Sequence, residues 1–562
     1  MAFYINDNCV ICRMCDIHCP MDAIKYGNHG YQILPNRCVE CGTCLRYCNV
    51  GAIVDPNALE DRPVTVPDGH MECDLAVIGG GGAGLVAAVK TAQQTGKRVV
   101  ILEKGQNCGG SAWFAVGMRQ GYTKWDAAKG LPDNSEADIR RVLRETKYLV
   151  DPKLVEATIY GSGAFFDWLC ELGGTEEVFG YQDTPVGFGL DFLDKPVGAR
   201  GGVGRWVVLK MREYCEKLGI QVLTGHRVTG LRRQQEGTWE ITAEGPQGLC
   251  TVTASACMLS TGNFLYNQEL IQKYAPLYGQ AKLAQNGHYL PELTGDGLAL
   301  GEQAGAKMGY ETICLCAYGP TPVPMSPLLL ALGESSEVVL IDQNGARWVD
   351  ESQAGDGNLQ LLRHPGAQTY AVFDQRVFDM IVKAWVDTGR TSATQEPVSS
   401  QHLAEINYFL DAADRPIIRT DTLEELAAAM EVDPQALSDT IERYNEYCKC
   451  GKDREFHKDP QYLYPVLQPP YYAVRRLMHP DGANGGVWIN EKLEVQAETG
   501  GVVPGLYSGG DITSGQYISN GWGRKDRIVS DLTWAFTSGF LAGRSISEYL
   551  ERQPERIHKE EE

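Results

Sequence analysis

The chain lacks several features that would place it quickly. No apolar run approaches the roughly 18 residues needed to cross a bilayer, so no membrane insertion is expected. The start, Met1-Ala2-Phe3-Tyr4-Ile5-Asn6-Asp7, has neither a basic nor an apolar stretch. No export signal is visible there, and a cytoplasmic location is expected. Positive charge is scarce: Lys and Arg total 51 against 72 Asp and Glu, a net charge of −21. Such a surface repels nucleic acid and anionic lipid, so neither is expected as a partner. Disorder is excluded too, because 43% hydrophobic and 22% charged residues is an ordinary globular composition. At roughly 100–200 residues per domain, the 562 residues amount to about three domains.

Cysteine is plentiful. Eight of the 18 cysteines fall within the first 48 residues. Cys9, Cys12, Cys15 and Cys19 form C-x2-C-x2-C-x3-C followed by Pro20. Cys38, Cys41, Cys44 and Cys48 repeat the spacing after 29 residues, followed by Asn49. Three thiolates two residues apart can wrap one [4Fe–4S] cube, and the fourth cysteine of each run serves the other cube. This assigns Cys9, Cys12, Cys15 and Cys48 to one cluster, and Cys38, Cys41, Cys44 and Cys19 to the second. A disulfide framework would need an exported protein. Zinc sites use paired CxxC or Cys/His sets, not two four-cysteine runs. Two C-x-C pairs, Cys314/Cys316 and Cys448/Cys450, are read with the remaining cysteines as small buried hydrophobes. Residues 1–55 resemble the bacterial two-cluster ferredoxins. The resemblance implies low-potential one-electron transfer and, from the oxygen sensitivity of such clusters, an anaerobic cytoplasm.

Three prolines and several acids between residues 55 and 70 mark a linker. Leu75 to Ile78 reads as a short buried strand. It runs into Gly79-Gly80-Gly81-Gly82-Ala83-Gly84, which satisfies G-x-G-x-x-G. A helix follows over Leu85–Gln94, then a strand over Arg98–Leu102 ending at Glu103 and Lys104. Glycines allow the tight turn and the approach of a pyrophosphate to the helix N-terminus. Glu103 lies 22 residues beyond Gly81, where an acid can bind ribose hydroxyls. Gly79, Gly81, Gly82, Ala83, Gly84, Glu103 and Lys104 are therefore candidate cofactor-binding residues. Gly161-Ser162-Gly163-Ala164 lacks the last glycine of a second fingerprint. One dinucleotide site beside iron–sulfur clusters favours FAD, which converts single electrons into two-electron chemistry.

Downstream segments resemble the flavoprotein subunits of fumarate reductase and succinate dehydrogenase, a family that includes ketosteroid dehydrogenases and other ene-reductases. Gly109-Gly110-Ser111 and Ala115-x-Gly117 resemble its loop around pyrophosphate and isoalloxazine. Ser260-Thr261-Gly262-Asn263-Phe264 resembles A-T-G-G-F, and Thr294-Gly295-Asp296-Gly297 resembles a T-G-D-G helix start. Pro504 to Asp511 resembles P-G-L-Y-A-A-G-E, whose acid holds the ribityl chain; Gly510 and Asp511 take those places. The resemblance covers residues 72–550. It implies an α+β ferredoxin-like N-terminal domain fused to an α/β Rossmann-type FAD-binding domain with an inserted α+β capping domain. The expected divisions are 1–55 ferredoxin-like, 56–70 linker, 71–311 and 479–550 FAD-binding, 312–478 cap, and a charged tail, 551–562. Leu423 to Tyr447 carries apolar residues at helical spacing and reads as surface helices of the cap.

The departures from the family pattern bear on function. Ser111-Ala112-Trp113 has no histidine for covalent attachment, which implies noncovalent FAD. Counting back from Phe373-Asp374 to the proton-donating arginine lands on Ala354. The H-T-M-G-G histidine is replaced by Gly482, the N-R-L-G-G arginine by Gly521, and the H-P-T histidine falls near Ala317-Tyr318. Without those donors a dicarboxylate would be desolvated without return, so fumarate and succinate are not expected substrates.

A flavin ene-reductase also needs a proton donor and a group to stabilise enolate charge. Candidates are Tyr318, Tyr517, His479 and the basic cluster Arg524, Lys525 and Arg527; Trp113, Phe114 and Trp522 could wall an aromatic pocket. The expected activity is reduction of an activated C=C bond, in an enoate or enone, by electrons from a ferredoxin-like protein donor passing through the clusters to FAD. The reverse dehydrogenase, and an electron-transfer subunit of a larger complex, are the alternatives. The sequence does not set the oligomeric state.

Overall fold

A computed structural model describes residues 3–19, 21–27, 30–56, 69–115, 118–146, 148, 150–175, 179–184, 187–192, 203–279, 281, 290–310, 314–322, 326–353, 362, 366–388, 398–514 and 531–553. The 29-residue cysteine repeat is also a repeat of conformation. Strands β1 (Tyr4–Ile5), β2 (Ile24–Gly27), β3 (Gly30–Ile33) and β4 (Ile53–Val54) form two antiparallel pairs, β1 with β4 and β2 with β3. Each cysteine run ends in a short helix, α1 (Met14–Ile17) or α2 (Thr43–Tyr47). Left-handed backbone recurs at equivalent positions: Ile11 and Glu40, Arg13 and Gly42, Asp22 and Gly51. Such residues cost energy outside glycine, so their recurrence marks a turn that the spacing requires.

The main sheet begins with β5 (His70–Ile78), helix α3 (Gly82–Thr95) and β6 (Val99–Leu102). The last six residues of β5 and all of β6 are buried, as expected for parallel strands covered on both faces. Gln221–Leu223 extends the sheet beyond β6. On the other side of β5 the long strand Gly248–Leu259 runs parallel to it. Antiparallel strands Trp239–Gly245 and Arg227–Arg233 follow. Late in the chain Val502–Ser508 returns parallel to Cys257–Leu259, which sets Gly509–Asp511 beside Ser260–Thr261. The helix Asp531–Glu551 closes over α3. A Cβ on Gly539 would lie 2.3 Å from the Ala83 carbonyl oxygen, so that helix pair meets backbone to backbone.

A second, antiparallel sheet comprises Cys314–Pro322, Val339–Ile341, Thr369–Asp374, Ile417–Thr420 and Tyr471–Asn484. The expected boundary at 478/479 falls inside its longest strand, whose ladder with Cys314–Pro322 continues to the Cys314–Asn484 pair. Strand pairing, invisible in local composition, carries the sheet past that point. Helices Leu423–Met430 and Pro434–Cys450 are surface helices with one buried face, as expected. Leu426, Met430, Leu437, Ile441 and Tyr444 join a compact core with Val339, Ile341 and Ala473. Beside it lies a fully buried ionic network. Arg347 meets Glu351 at 2.9 Å and Asp453 at 3.0 Å, and Lys458 meets Glu351 at 3.2 Å. Burial pushes the Lys458 amine down, and Glu351 opposes that push.

Candidate cofactor and redox sites

The turn Gly79–Gly84 is built by close approach. A Cβ on Gly84 would stand 2.1 Å from the Gly79 oxygen and 2.6 Å from Ser260 Oγ. No side chain caps the N-terminus of α3, and no acid occupies its first turn. Its first N–H groups are thus available to an anion. Gly109 pairs with Gly81 as an isolated bridge and donates to the Gly80 oxygen at 2.8 Å. The 3-10 turn Gly110–Phe114 therefore lies against the dinucleotide turn.

Glu103 stands at the end of β6, as expected, and both oxygens accept backbone N–H groups: Gly80 at 2.7 Å and Gly105 at 2.6 Å. Burial raises its carboxyl, and these two bonds oppose the rise. A carboxylate has lone pairs left for a ribose beyond two such bonds. Lys104 and Asp296 are engaged with each other at 2.8 Å, and Arg227 adds a second contact at 2.9 Å. Burial pushes Asp296 upward, but the Arg227 and Lys104 hydrogen bonds prevail and hold it at about 2. This pair locks the helix Asp296–Gln303 to the edge of the main sheet. Asp511 accepts from Asn263 Nδ2 at 2.9 Å, and Gly510 donates to Ser538 Oγ at 2.9 Å.

Among the described residues, three buried polar atoms around these loops have no hydrogen-bond partner: Ser111 Oγ, Trp113 Nε1 and Thr261 Oγ1. Buried unsatisfied polar groups are costly, and the hydroxyls and phosphates of FAD would satisfy them. The residues present fit the cofactor. Gly117, Tyr517, Arg524, Lys525, Arg527 and Trp522 lie outside the described residues. Tyr318 and His479 sit on paired strands next to a break in register, between the Ala317–Pro480 and Pro320–Met478 pairs. Their side chains are likewise outside the described set. Gly482 follows on the same strand, and among the described residues the atom nearest to a Cβ there would be Asp511 Oδ2 at 3.9 Å.

These features decide the family. A model of the FAD binding domain matches residues 74–523. The chain belongs to this FAD-binding family, among the fumarate reductase-like flavoproteins. It is 27% identical over 488 residues to a fumarate reductase (cytochrome) of Shewanella frigidimarina, covering 86% of this chain and 78% of that protein. It is also 27% identical over 505 residues to a vinyl phenol reductase of Lactiplantibacillus plantarum, covering 86% and 98%. The open conformation of a flavocytochrome c3 fumarate reductase matches its fold with a TM-score of 0.67 at 21% identity, covering 85% and 79%. The flavoprotein is thus a flavin-dependent oxidoreductase acting on C=C bonds.

The N-terminal cysteines fall into two neighbourhoods. Burial raises the Cys15 thiol, and Cys12, Cys9 and Cys48 raise it further; Cys9 and Cys48 are neighbours in turn. Burial pushes Cys44 to about 11, with Cys19 and Cys38 adding to the effect. Cys19, Cys38, Cys41 and Cys44 also border one apolar cavity. Among the described residues no three His, Cys, Asp or Glu side chains converge as they would on a single ion. Backbone N–H groups point at sulfur at equivalent places, Ala23 to Cys19 at 3.3 Å and Ala52 to Cys48 at 3.1 Å.

Sequence reasoning missed the residues that join this segment to the flavoprotein. Arg205 and Arg212 are two helical turns apart on the helix Val203–Lys217, a spacing that places them on one face. Asn49 follows a cysteine run in place of proline, which was the one available signal. On the other side Tyr26 donates to Asp414 at 2.7 Å, and Arg13 and Lys25 approach Glu405 at 3.9 and 3.8 Å.

Proposed function

We propose that the flavoprotein reduces an activated C=C bond in an enoate or enone that is not a dicarboxylate. FAD is held noncovalently, and electrons arrive singly through two [4Fe–4S] clusters from a protein donor of the ferredoxin class. The observation that carries this reading is the pair of cysteine neighbourhoods on a segment bonded to the loop beside the dinucleotide turn. Two clusters there could feed the flavin without a nicotinamide site.

The substrate class rests on what replaces the dicarboxylate groups. Among the described residues the Asp511 carboxylate is what lies near the Cβ position of Gly482, and it would repel a second anion. The similarity to a vinyl phenol reductase, named for a substrate that is no dicarboxylate, supports the same direction. Bound FAD supplies the hydride. The chain supplies the proton and the enolate-stabilising donors, with Tyr318, His479, Tyr517, Arg524 and Arg527 as the candidates. Glu103, Ser111, Thr261 and Asp511 hold the cofactor in this reading.

The test is an anaerobic assay of the purified protein with reduced viologen against enoates, enones, aryl acrylates and fumarate, together with iron and sulfide analysis. Turnover of a monocarboxylate or enone with negligible fumarate activity is expected. Efficient fumarate reduction would overturn the substrate class, and turnover with NADH alone would overturn the protein donor.

A further inference from the structure

The two halves of the N-terminal repeat are equivalent in conformation but not in burial. Val10 is 4% exposed, whereas Val39, its counterpart 29 residues on, is 59% exposed. Asp16 is 9% exposed and its counterpart Leu45 is 36%. Cys12 is partly buried, whereas Cys41 is exposed. The first half is covered because it meets the rest of the chain. Arg13 and Lys25 face Glu405, and Tyr26 packs on Phe409 with ring centroids 5.7 Å apart.

The cysteine that the second run contributes to the first set, Cys48, is flanked by residues that bind the flavoprotein. Asn49 accepts from Asn107 Nδ2 at 3.2 Å through its backbone oxygen, and from Arg212 Nη2 at 2.6 Å through Oδ1. Arg212 also donates to the Cys108 oxygen, one residue before Gly109. On the other flank the Tyr47 ring lies 4.5 Å from the Arg205 guanidinium, which is itself 5.5 Å from the Trp113 ring. Trp113 belongs to the turn that packs against the dinucleotide loop. The second set has an outer wall that includes Met21 and Val39, both exposed.

We infer that the Cys9/Cys12/Cys15/Cys48 centre is the interior, flavin-side centre and the Cys19/Cys38/Cys41/Cys44 centre is the solvent-side point of electron entry, with Arg205 and Arg212 as positioning residues at the junction. This rests on the two-cluster reading above. Each electron leaves a one-electron donor, reduces the exposed centre, passes to the interior centre and then to FAD. Two such passages, with proton uptake from solvent, yield the two-electron-reduced flavin. Tunnelling falls steeply with distance, so the order of centres sets the order of transfer. A guanidinium near an electron acceptor also raises its potential, because it stabilises the added negative charge.

The experiment uses the full-length holoprotein, purified anaerobically. Iron analysis comes first: about eight irons per flavin are expected for two cubes. Absence of iron would sink the two-cluster reading itself, independently of the order of centres. An iron chelator should then remove iron in two phases, half of it quickly, while FAD stays bound. The EPR power saturation of the flavin radical should show fast relaxation that survives the first phase and is lost in the second. The C41A variant should keep that fast relaxation and C12A should lose it. R205Q should lower the midpoint potential of the retained centre in C41A while leaving its iron content unchanged. Single-phase iron loss, or fast relaxation that follows the exposed centre, would overturn the assignment. The chelation series needs no variant, so misfolding of C12A cannot mask the result.

Discussion

Asn263 donates from Nδ2 to Asp511 Oδ2 at 2.9 Å, joining two loops 248 residues apart in sequence. One loop ends the long parallel strand Gly248–Leu259, and the other ends Val502–Ser508, which pairs with it. The amide fixes the acid that, in the proposed reading, holds the ribityl chain. Losing a hydrogen bond to a charged group costs about 1.5–3 kcal/mol. N263A should therefore weaken FAD retention by at least about tenfold without unfolding the sheet. The flavin-to-protein ratio after gel filtration and the fluorescence of released flavin would show it. Unchanged retention would mean that Asp511 is positioned by other contacts.

Gly84 tests the turn by sterics alone. Its backbone does not need the left-handed region, yet a Cβ would sit 2.1 Å from the Gly79 oxygen. Neither partner is a flexible chain end, so strand β5 and helix α3 would have to separate. Overpacking of this kind costs about 1–3 kcal/mol. G84A should melt earlier than the parent by thermal denaturation and be purified without bound flavin.

Asp296 gives a pH signature. Its carboxyl ordinarily titrates at 3.8 and is held at about 2 in the fold. A depressed carboxyl stabilises the folded state fully above its unfolded value and loses that contribution as pH falls through the folded one. Wild type should thus exceed D296N in stability by about 1–3 kcal/mol at neutral pH. The gap should narrow below about pH 4 and close near pH 2. Urea titrations of both proteins across that range would measure it. A gap independent of pH would show that Lys104 and Arg227 do not set the carboxyl.

Legibility in the sequence followed the range of the interaction. The strand, turn and helix over 70–95 were readable because glycine sterics are local rules. The five motif fragments could be ordered by resemblance, but their convergence depends on Val502–Ser508 returning beside Cys257–Leu259, which no local pattern specifies. The junction was harder still. Arg205, Arg212, Glu405 and Asp414 are ordinary surface-type residues in sequence, and only docking gives them partners. Lys104 and Asp296, marked for the cofactor, turned out to bond each other. The second sheet passed its expected end because hydrogen-bonded register, not composition, decides where Tyr471–Asn484 stops.

The buried network in the second sheet's core should be intolerant of losing one charge. Glu351 is fully buried between Arg347 and Lys458. E351Q keeps the shape and removes the carboxylate charge that faces Lys458, while Arg347 keeps Asp453; an uncompensated buried charge costs about 3–5 kcal/mol. Chemical denaturation should show that loss. A much smaller one would mean that water reaches the network.

Gly482 offers a way to challenge the substrate reading. The resemblance puts a carboxylate-binding histidine at this position in fumarate reductases. Among the described residues nothing lies closer to its Cβ position than Asp511 Oδ2 at 3.9 Å, and its backbone is not left-handed. A histidine there meets no clash from a described residue at its Cβ. The adjacent carboxylate would raise the imidazole's affinity for its proton and favour the cation. One cation still does not rebuild a dicarboxylate site while Ala354 and Gly521 stand where the resemblance expects arginines. A single preorganised donor is worth about 10²–10³ in rate only when the others are in place. G482H should keep its FAD and raise fumarate reduction by less than about tenfold in the viologen assay. A thousandfold rise would show that one histidine suffices and that the missing arginines do not exclude fumarate.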